Sequence, residues 1–278
     1  KHKALTYQTV SSYFSRNVSY KSKMTIVKKI KRVLSQLKVK EIPEDLFVQR
    51  LRSLVIGEGM LHKGNIYLIN FALKNMPDNG VVLEIGSYGG LSTNLILHLL
   101  KKNERIERLI NCDPWIYEGY NDKHGTEFNT IDGRNDISRD DYSIYMKSNF
   151  IKSIKFLNKD NLPYSFQLTS DEFFNEYDKK LIAKDIFNQT IQLGTRISFA
   201  YIDGNHYYEY VKRDFENVDK YLINSGFILF DDSMDGSQFG SSLFMKEMKR
   251  NKNYQLIDKN PNYLFKKITK SVANKTYT

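Results

Sequence analysis

Four side chains that could bind a metal ion and move a proton follow two apolar segments in the second half of the chain. Asp203 and His206 come just after one segment, and Asp231 and Asp232 come directly after the next. If these segments are neighbouring parallel strands, about 4.8 Å apart, the carboxylates converge on one edge of the sheet. Clustered carboxylates repel one another unless a cation lies among them, and all-oxygen ligation favours Mg²⁺, with Mn²⁺ or Ca²⁺ as alternatives. Asp203, Asp231 and Asp232 are therefore the predicted metal ligands.

These side chains also have a plainer interpretation. Aspartate is common as a cap at strand ends, and two consecutive side chains in an extended strand point to opposite faces. Asp231 and Asp232 can therefore share one ion only if the chain turns at Asp231. His206 lies near the start of a predicted helix, where the helix dipole disfavours imidazolium and leaves a neutral ring that can accept a proton. It is the predicted general base, with a capping or surface histidine as the alternative.

A glycine-rich segment in the first half of the chain has the form of a cofactor-binding loop. The segment VLEIGSYGGLST, residues 82–93, leaves an apolar strand and enters a helix. Its glycines let the backbone turn tightly, and the free N–H groups of the helix start face a ligand. Glu84 places a carboxylate under this loop, and Asp113 ends the next strand, where it can bind two ribose hydroxyls. A carboxylate under the loop suits a cationic aminoacyl ligand better than the pyrophosphate of a dinucleotide.

Strand and helix patterns alternate regularly in the chain and predict an α/β fold. Predicted strands occupy 81–85, 108–112, 165–168, 197–202 and 226–230, followed by 254–257 and 262–267. Predicted helices occupy 44–75, 91–102, 171–188, 207–223 and 237–250. The alternation makes a mostly parallel sheet with right-handed crossovers, so ligands should bind at the carboxyl ends of its strands. The short connection between the last two strands predicts an antiparallel hairpin.

The composition is that of a soluble protein with a basic N-terminal arm. Of the 278 residues, with a net charge of +10, residues 1–40 carry eleven Lys or Arg and no acidic residue, whereas 41–278 carry 31 basic and 32 acidic residues. A nucleic-acid partner for this neutral body is therefore not expected. No apolar run could span a membrane, Cys112 is the single cysteine, and no secretory leader is visible, so a cytoplasmic location is expected.

The chain divides into two predicted parts. Residues 1–75 form a basic arm and helices that pack on the core, including an amphipathic helix around 26–38. That helix either packs on the main domain or binds a membrane surface or RNA, and the N-terminal helices are expected to join copies of the chain into a homo-oligomer. Residues 76–278 form the main domain, in which 116–160 either cap the ligand edge or form a disordered surface loop.

The glycine-rich segment resembles the first motif of class I S-adenosylmethionine-dependent methyltransferases. Tyr88 stands where many of them have a second glycine, and in this the segment is similar to the catechol O-methyltransferase group. The resemblance implies a Rossmann-like class I methyltransferase sheet. It assigns the methionine half of the cofactor to Glu84, Gly86, Ser87, Tyr88, Gly90 and Ser92, and the ribose and adenine to Asp113, Trp115, Ser170 and Asp171. Met60 belongs to a segment that resembles the one closing over the cofactor carboxylate. Trp115 is alternatively a core aromatic, and Ser170 a helix N-cap.

The string Asp203-Gly204-Asn205-His206, with the aspartate pair downstream, resembles metal-dependent sugar O-methyltransferases of the macrolide-tailoring (macrocin) type, although Asn205 stands where relatives have a second aspartate. The resemblance implies that a metal held by Asp203 and its neighbours binds two substrate oxygens. His206 then takes the proton of one hydroxyl, and this oxygen attacks the sulfonium methyl. The acceptor would be a small molecule with a sugar diol or a catechol. A NAD(P)-dependent oxidoreductase and an RNA-binding or RNA-modifying module that uses the basic arm are the alternative functions.

Overall fold

Seven strands pair into one sheet in the part of the chain that the computed structural model describes. The described residues are 61–116 and 138–268, with Lys40, Asp45, Leu46 and Val48 upstream. The strands are β1 (Val81–Ile85), β2 (Leu109–Cys112), β3 (Tyr164–Phe166), β4 (Ile182–Lys184), β5 (Thr190–Gln192), β6 (Ile197–Ile202), β7 (Leu222–Phe230), β8 (Tyr254–Lys259) and β9 (Tyr263–Lys267). Strands β4 and β5 pair with each other, and the remaining strands form the large sheet in the order β3-β2-β1-β6-β7-β9-β8.

The centre of the large sheet is parallel and buried on both faces. Every residue of β1 and of β6 is buried, as expected for parallel strands with helices on both sides. Strand β9 pairs antiparallel with β7 and with β8, so β8 and β9 form the predicted hairpin. The predicted fold, a mostly parallel sheet with an antiparallel C-terminal hairpin, is therefore confirmed.

Helices cover both faces of the sheet. They are α1 (Lys63–Asn75), α2 (Leu91–Lys102), α3 (Arg139–Leu157), α4 (Ser170–Asp178), α5 (Tyr208–Tyr221) and α6 (Gly240–Met248). On one face, α4, α5 and α6 add Phe173, Phe215 and Phe244 to the core, and on the other face α1 and α2 add Leu68 and Leu95. Among these described helices, none combines the length and the apolar character needed to cross a membrane.

The predicted helix 44–75 is interrupted in the structure. His62 is extended, and its side-chain Nδ1 accepts the N–H of Gly64 at 3.0 Å, which makes His62 the N-cap of α1. The helix therefore begins at Lys63, because a capping side chain satisfies a backbone donor that would otherwise lack a partner. Most of the stretch before Leu61 lies outside the described residues.

The predicted helix 171–188 is wrong in its second half. Helix α4 starts at a capping box formed by Thr169 and Glu172, and Lys180 adopts a φ of +53° just beyond its end. The chain then forms the hairpin of β4 and β5, in which Ile191 is buried between two exposed neighbours. Strand β7 also begins earlier than predicted, at Leu222, which shortens the preceding helix.

Part of the predicted insertion at 116–160 is a regular helix. Helix α3 begins at a capping box and packs against Trp115 through Phe150, with the two ring centroids 5.1 Å apart. It connects β2 to β3 and so continues the alternation of strands and helices. Residues 117–137 and 1–39 lie outside the described residues, so the cap and the amphipathic helix of the basic arm stay predictions.

Two isoleucines test whether β7 belongs to the core. Ile228 in β7 is 0% exposed, whereas Ile106 in the loop before β2 is 95% exposed. We expect Ile228→Ala to lower the free energy of unfolding by about 2–5 kcal/mol, because it removes packed methyl groups and leaves a cavity. Ile106→Ala, the matched control, should change it by less than about 0.5 kcal/mol. Urea unfolding followed by circular dichroism measures both, and an Ile228→Ala loss no larger than the control's would contradict the burial of β7.

Candidate active site

The glycine-rich loop between β1 and α2 lies directly against the end of β6. Gly86 adopts a φ of +84°, and a Cβ atom on it would lie 2.0 Å from the carbonyl oxygen of Asp203. Only glycine fits this approach, so the loop and the predicted metal ligand are in backbone contact. Gly90, with a φ of +93°, is the N-cap of α2 and turns the chain into the helix.

Asp113 holds this loop through backbone hydrogen bonds. Its Oδ2 accepts the N–H groups of Ser87 (2.7 Å) and Tyr88 (2.8 Å), and its Oδ1 accepts the N–H of Trp115 (2.6 Å). Burial raises the pKa of Asp113, and the three hydrogen bonds act against that rise. The residue predicted to bind the ribose therefore also fixes the shape of the loop, a role that the sequence does not reveal.

Glu84, the carboxyl group under the loop, has one oxygen bound and one oxygen without a partner. Its Oε2 accepts hydrogen bonds from Thr93 (2.5 Å), Asn111 (3.2 Å) and Ser87 (3.4 Å). Its Oε1 is buried and has no hydrogen-bond partner among the described residues. Burial raises the pKa of Glu84 to about 7. A cationic group at Oε1 would satisfy this oxygen and stabilise the ionised form, which fits the amino group of an aminoacyl cofactor.

Trp115 lies at the end of β2 in a small core of its own. It is 3% exposed and packs with Met146, Phe150 and Ile154. Its Nε1 donates to the carbonyl oxygen of Tyr88 at 2.9 Å, which links this core to the glycine-rich loop. The tryptophan is thus a core aromatic, and its role beside an adenine ring stays a prediction.

The other residues predicted beside the adenine follow β3. Ser170 is the first residue of α4 and not its N-cap, because the capping residue is Thr169. Asp171 forms an ion pair of 2.8 Å with Arg213, both half-exposed. Met60, predicted to close over the cofactor carboxylate, lies outside the described residues.

Asp203 and Asp231 meet at the ends of the adjacent strands β6 and β7. Their carboxyl groups are in hydrogen-bonding contact, and Asp231 is 6% exposed. Removal from water raises the pKa of Asp203 well above its ordinary value, and the charges of Asp231 and Asp232 raise it further. Two carboxylates in contact repel each other unless a cation lies between them.

His206 and Asp232 lie next to each other at the same edge. Asp232 has a φ of +46°, so the chain does turn after β7, as a shared site requires. The Asp232 Oδ2 and the His206 Nε2 are 3.5 Å apart, and the imidazole packs on Phe239 with ring centroids 5.0 Å apart. His206 precedes α5, whose N-cap is Tyr207. The predicted base therefore lies beside one of the predicted metal ligands.

The complete metal-ligand set is not assembled. Within residues 61–116 and 138–268 and the four described positions upstream, no group of three or more His, Cys, Asp or Glu side chains is arranged to hold a metal ion. Asp203 and Asp231 are in contact, whereas Asp232 lies near His206. The three-aspartate ligand set stays a prediction.

Two buried asparagines complete this edge, and sequence reasoning misses both. The side-chain amides of Asn65 in α1 and Asn262 in the turn between β8 and β9 each donate to the Asp231 Oδ1 at 2.5 Å. The available signal for Asn65 is its place on the buried face of α1, where Leu68 and Ala72 follow at helical spacing. Asn262 has no local signal, because asparagine is common in turns.

The glycine loop after β1, the acidic residue at the end of β2 and the parallel sheet with its antiparallel hairpin define a class I S-adenosylmethionine-dependent methyltransferase. A family model described as a methyltransferase domain matches residues 83–233, which is more than half of the chain. The chain belongs to this methyltransferase domain family. This assignment replaces the alternative of a NAD(P)-dependent oxidoreductase.

The solved structures that are similar to this chain have little sequence in common with it. A protein from Staphylococcus aureus, named "putative caffeoyl-CoA O-methyltransferase", has a TM-score of 0.50 and 12% identity, over 88% of this chain and 100% of its own. An O-methyltransferase from Bacillus cereus has a TM-score of 0.49 and 10% identity, over 87% of this chain and 97% of its own. The calicheamicin methyltransferase CalS11 has a TM-score of 0.48 and 17% identity, over 90% of this chain and 94% of its own. No curated protein has a matching sequence.

Asp113 offers a test of the cofactor site. Asp113→Ala removes the acceptor of three backbone N–H groups, so the loop loses its fixed shape and any ribose contact is lost as well. We expect the affinity for S-adenosylhomocysteine to fall by about 1.5–3 kcal/mol, the range for hydrogen bonds to a charged group. Isothermal titration calorimetry measures it, with Asp160→Ala, an exposed aspartate, as the control. An unchanged affinity would rule out both roles.

The raised pKa of Glu84 predicts how the stability of the protein depends on pH. Its folded-state pKa of about 7 lies above the ordinary value of 4.5, so the folded protein holds a proton that the unfolded chain releases. The free energy of unfolding should therefore fall as the pH rises from about 4.5 to above 7, by up to about 3 kcal/mol. Glu84→Gln should remove this loss, whereas Glu209→Gln, at an exposed glutamate, should keep it. Urea unfolding at several pH values decides, and identical pH dependence in wild type and Glu84→Gln would contradict the prediction.

Proposed function

We propose that this protein transfers a methyl group from S-adenosylmethionine to a hydroxyl oxygen of a small molecule and uses a divalent metal, Mg²⁺ first. The observation that best supports this proposal is the contact between Asp203 and Asp231, at the same edge of the sheet as the glycine-rich loop. The acceptor class is a sugar diol or a catechol, because two adjacent oxygens suit a metal that binds both. The name of the Staphylococcus aureus relative, an O-methyltransferase, agrees with an oxygen acceptor.

The carboxyl pair fits a hard cation. Asp203 and Asp231, which are in contact, would supply oxygen ligands, and Asp232 would have to approach them to supply a third. Burial together with mutual repulsion raises the pKa of Asp203 in the protein alone. A cation would remove that repulsion and let these groups ionise together. When bound, the ion would supply the positive charge that stabilises an oxyanion.

His206 is the proposed base for the acceptor hydroxyl. Its Nε2 lies 3.5 Å from the Asp232 Oδ2, so Asp232 would stabilise the imidazolium that forms when this nitrogen takes the hydroxyl proton, and the ring packs on Phe239. The deprotonated oxygen forms a bond to the methyl carbon while the bond from sulfur to that carbon breaks. S-adenosylmethionine supplies the electrophilic methyl group and leaves as S-adenosylhomocysteine.

Three further expectations belong to the same proposal. Glu84, Asp113 and the glycine-rich loop bind the cofactor, which the unpartnered Oε1 of Glu84 supports. A cytoplasmic location and self-association through the N-terminal helices rest on the sequence alone. An RNA-related function of the basic arm also rests only on the charge of residues 1–40 in the sequence.

Variants of two histidines distinguish the loss of a catalytic base from a general loss of folding. We expect His206→Ala to lower turnover by about 10²–10⁴-fold, because a general base is lost, and to keep the affinity for S-adenosylhomocysteine. His98→Ala is the matched control, since His98 lies on α2 and contacts Asp45. Transfer of a radiolabelled methyl group to a panel of catechols and sugar diols measures turnover. Full activity of His206→Ala would show that another group removes the proton.

The metal has its own test in the same assay. A chelator should abolish methyl transfer and leave S-adenosylhomocysteine bound, and added Mg²⁺ should restore transfer, because the cofactor contacts lie on β1 and β2 and the carboxyl pair on β6 and β7. Asp231→Asn should raise the metal concentration needed for activity or abolish activity. Unchanged transfer in the presence of chelator would refute the metal role.

A further inference from the structure

A closed hydrogen-bond network surrounds one oxygen of Asp231. The Asn65 Nδ2 donates to Asp231 Oδ1 (2.5 Å) and to the Tyr201 hydroxyl (3.3 Å). The Asn262 Nδ2 donates to Asp231 Oδ1 (2.5 Å) and to the Asn65 Oδ1 (3.0 Å). Each amide nitrogen therefore uses both of its hydrogens inside the network. Asn65 is 0% and Asn262 is 3% exposed, so water does not replace these partners.

The network allows one orientation of each amide. If either amide were turned around, its oxygen would face the Asp231 Oδ1, and two acceptors would repel each other. The Tyr201 hydroxyl, which accepts from Asn65, donates its own hydrogen to the Asp203 Oδ2 at 3.1 Å. The network thus reaches both carboxyl groups of the proposed metal site and orients each of them.

The two asparagines come from opposite ends of the described chain. They are 197 residues apart, one at the start of α1 and the other in the turn between β8 and β9. The Asn262 Oδ1 also accepts the N–H of Ser233 at 3.0 Å. One side chain therefore ties the hairpin turn to Asp231 and to the loop that follows it.

We propose that Asn65 and Asn262 are positioning residues of the metal site, which hold the Asp231 carboxylate in one orientation beside Asp203. The proposal rests on the proposed function, because it takes Asp203 and Asp231 as ligands of a divalent ion. Two hydrogen bonds to a charged oxygen are stronger than neutral ones, and they order the carboxylate before an ion arrives. The C-terminal hairpin is thereby part of the site as well as the edge of the sheet.

The test measures binding of Mn²⁺ to the full chain saturated with S-adenosylhomocysteine, by the electron paramagnetic resonance signal of the free ion. Asn65→Leu removes both donors of a side chain whose hydrogen bonds all lie within the network. We expect the Mn²⁺ dissociation constant to rise by about 10–100-fold, as for lost partners of metal ligands. Asn262→Leu should have the same effect. Affinity for S-adenosylhomocysteine should stay close to that of the wild type in both variants.

Asn260→Leu is the matched control for a general loss of packing. Asn260 is 2% exposed and lies in the same turn, but its side-chain amide bonds to the backbone of Lys40 and Gly64 rather than to a carboxylate. This variant should lose stability and keep the wild-type affinity for Mn²⁺. An equal loss of affinity in Asn260→Leu would overturn the positioning role.

The outcomes separate this proposal from the proposed function. If the wild type binds Mn²⁺ and both leucine variants at 65 and 262 bind it equally well, the positioning role is overturned and the proposed function stands. If the wild type binds S-adenosylhomocysteine but no Mn²⁺, the metal part of the proposed function fails and the positioning role fails with it. If the leucine variants fail to bind S-adenosylhomocysteine, Asn65→Ser replaces them in the test. Serine lacks the amide donors and is smaller than leucine, and we expect the same rise in the Mn²⁺ dissociation constant.

Discussion

Removal of carboxyl groups from water is the constraint on which this site depends. Glu84 and Asp203 both have pKa values raised by burial, and Asp231 is enclosed with them at the carboxyl ends of adjacent strands. A buried carboxylate is stable only when hydrogen bonds or a cation replace its water. Glu84 has only part of that replacement, because its Oε1 has no hydrogen-bond partner among the described residues. This environment supports the two cationic ligands of the proposed function, an ammonium group at Glu84 and a metal at the aspartate pair.

The close approach of two backbones couples these two regions. Gly86 lies so near the carbonyl of Asp203 that even a methyl group does not fit between them. The N–H of Asp203 also donates to the carbonyl of Ile85 at 2.8 Å, so the ends of β1 and β6 are joined in register. Methyl transfer requires the acceptor oxygen to lie about 3–3.5 Å from the methyl carbon and in line with the bond that breaks. Because the two backbones are in direct contact, with no side chain between them, the distance between the glycine-rich loop and the aspartates can vary little.

The sequence predicts the parts of the molecule that local patterns determine. Strands such as β1 and β6 are continuous apolar runs because both faces are buried, and α2 shows the apolar spacing of a helix throughout. The same spacing misleads at 171–188, where the positive φ of Lys180 ends the helix although Leu181 and Ile182 continue the pattern. The contacts of Asn262 could not be predicted at all. They depend on a fold that brings a C-terminal turn to a helix at the start of the sheet.

The two halves of the site consequently assemble over very different lengths of chain. The proposed cofactor half joins Glu84, the glycine-rich loop and Asp113, which are within about 30 residues of one another and lie on adjacent elements. The aspartate half joins Asn65, Asp231 and Asn262 and exists only when α1 and the last hairpin are both in place. Contacts between distant residues carry a larger entropic cost of loop closure, and they form only with the complete sheet. The orienting partners of Asp231 are therefore present only in the complete fold, so the aspartate half is the part of the candidate site that depends most on contacts between distant residues.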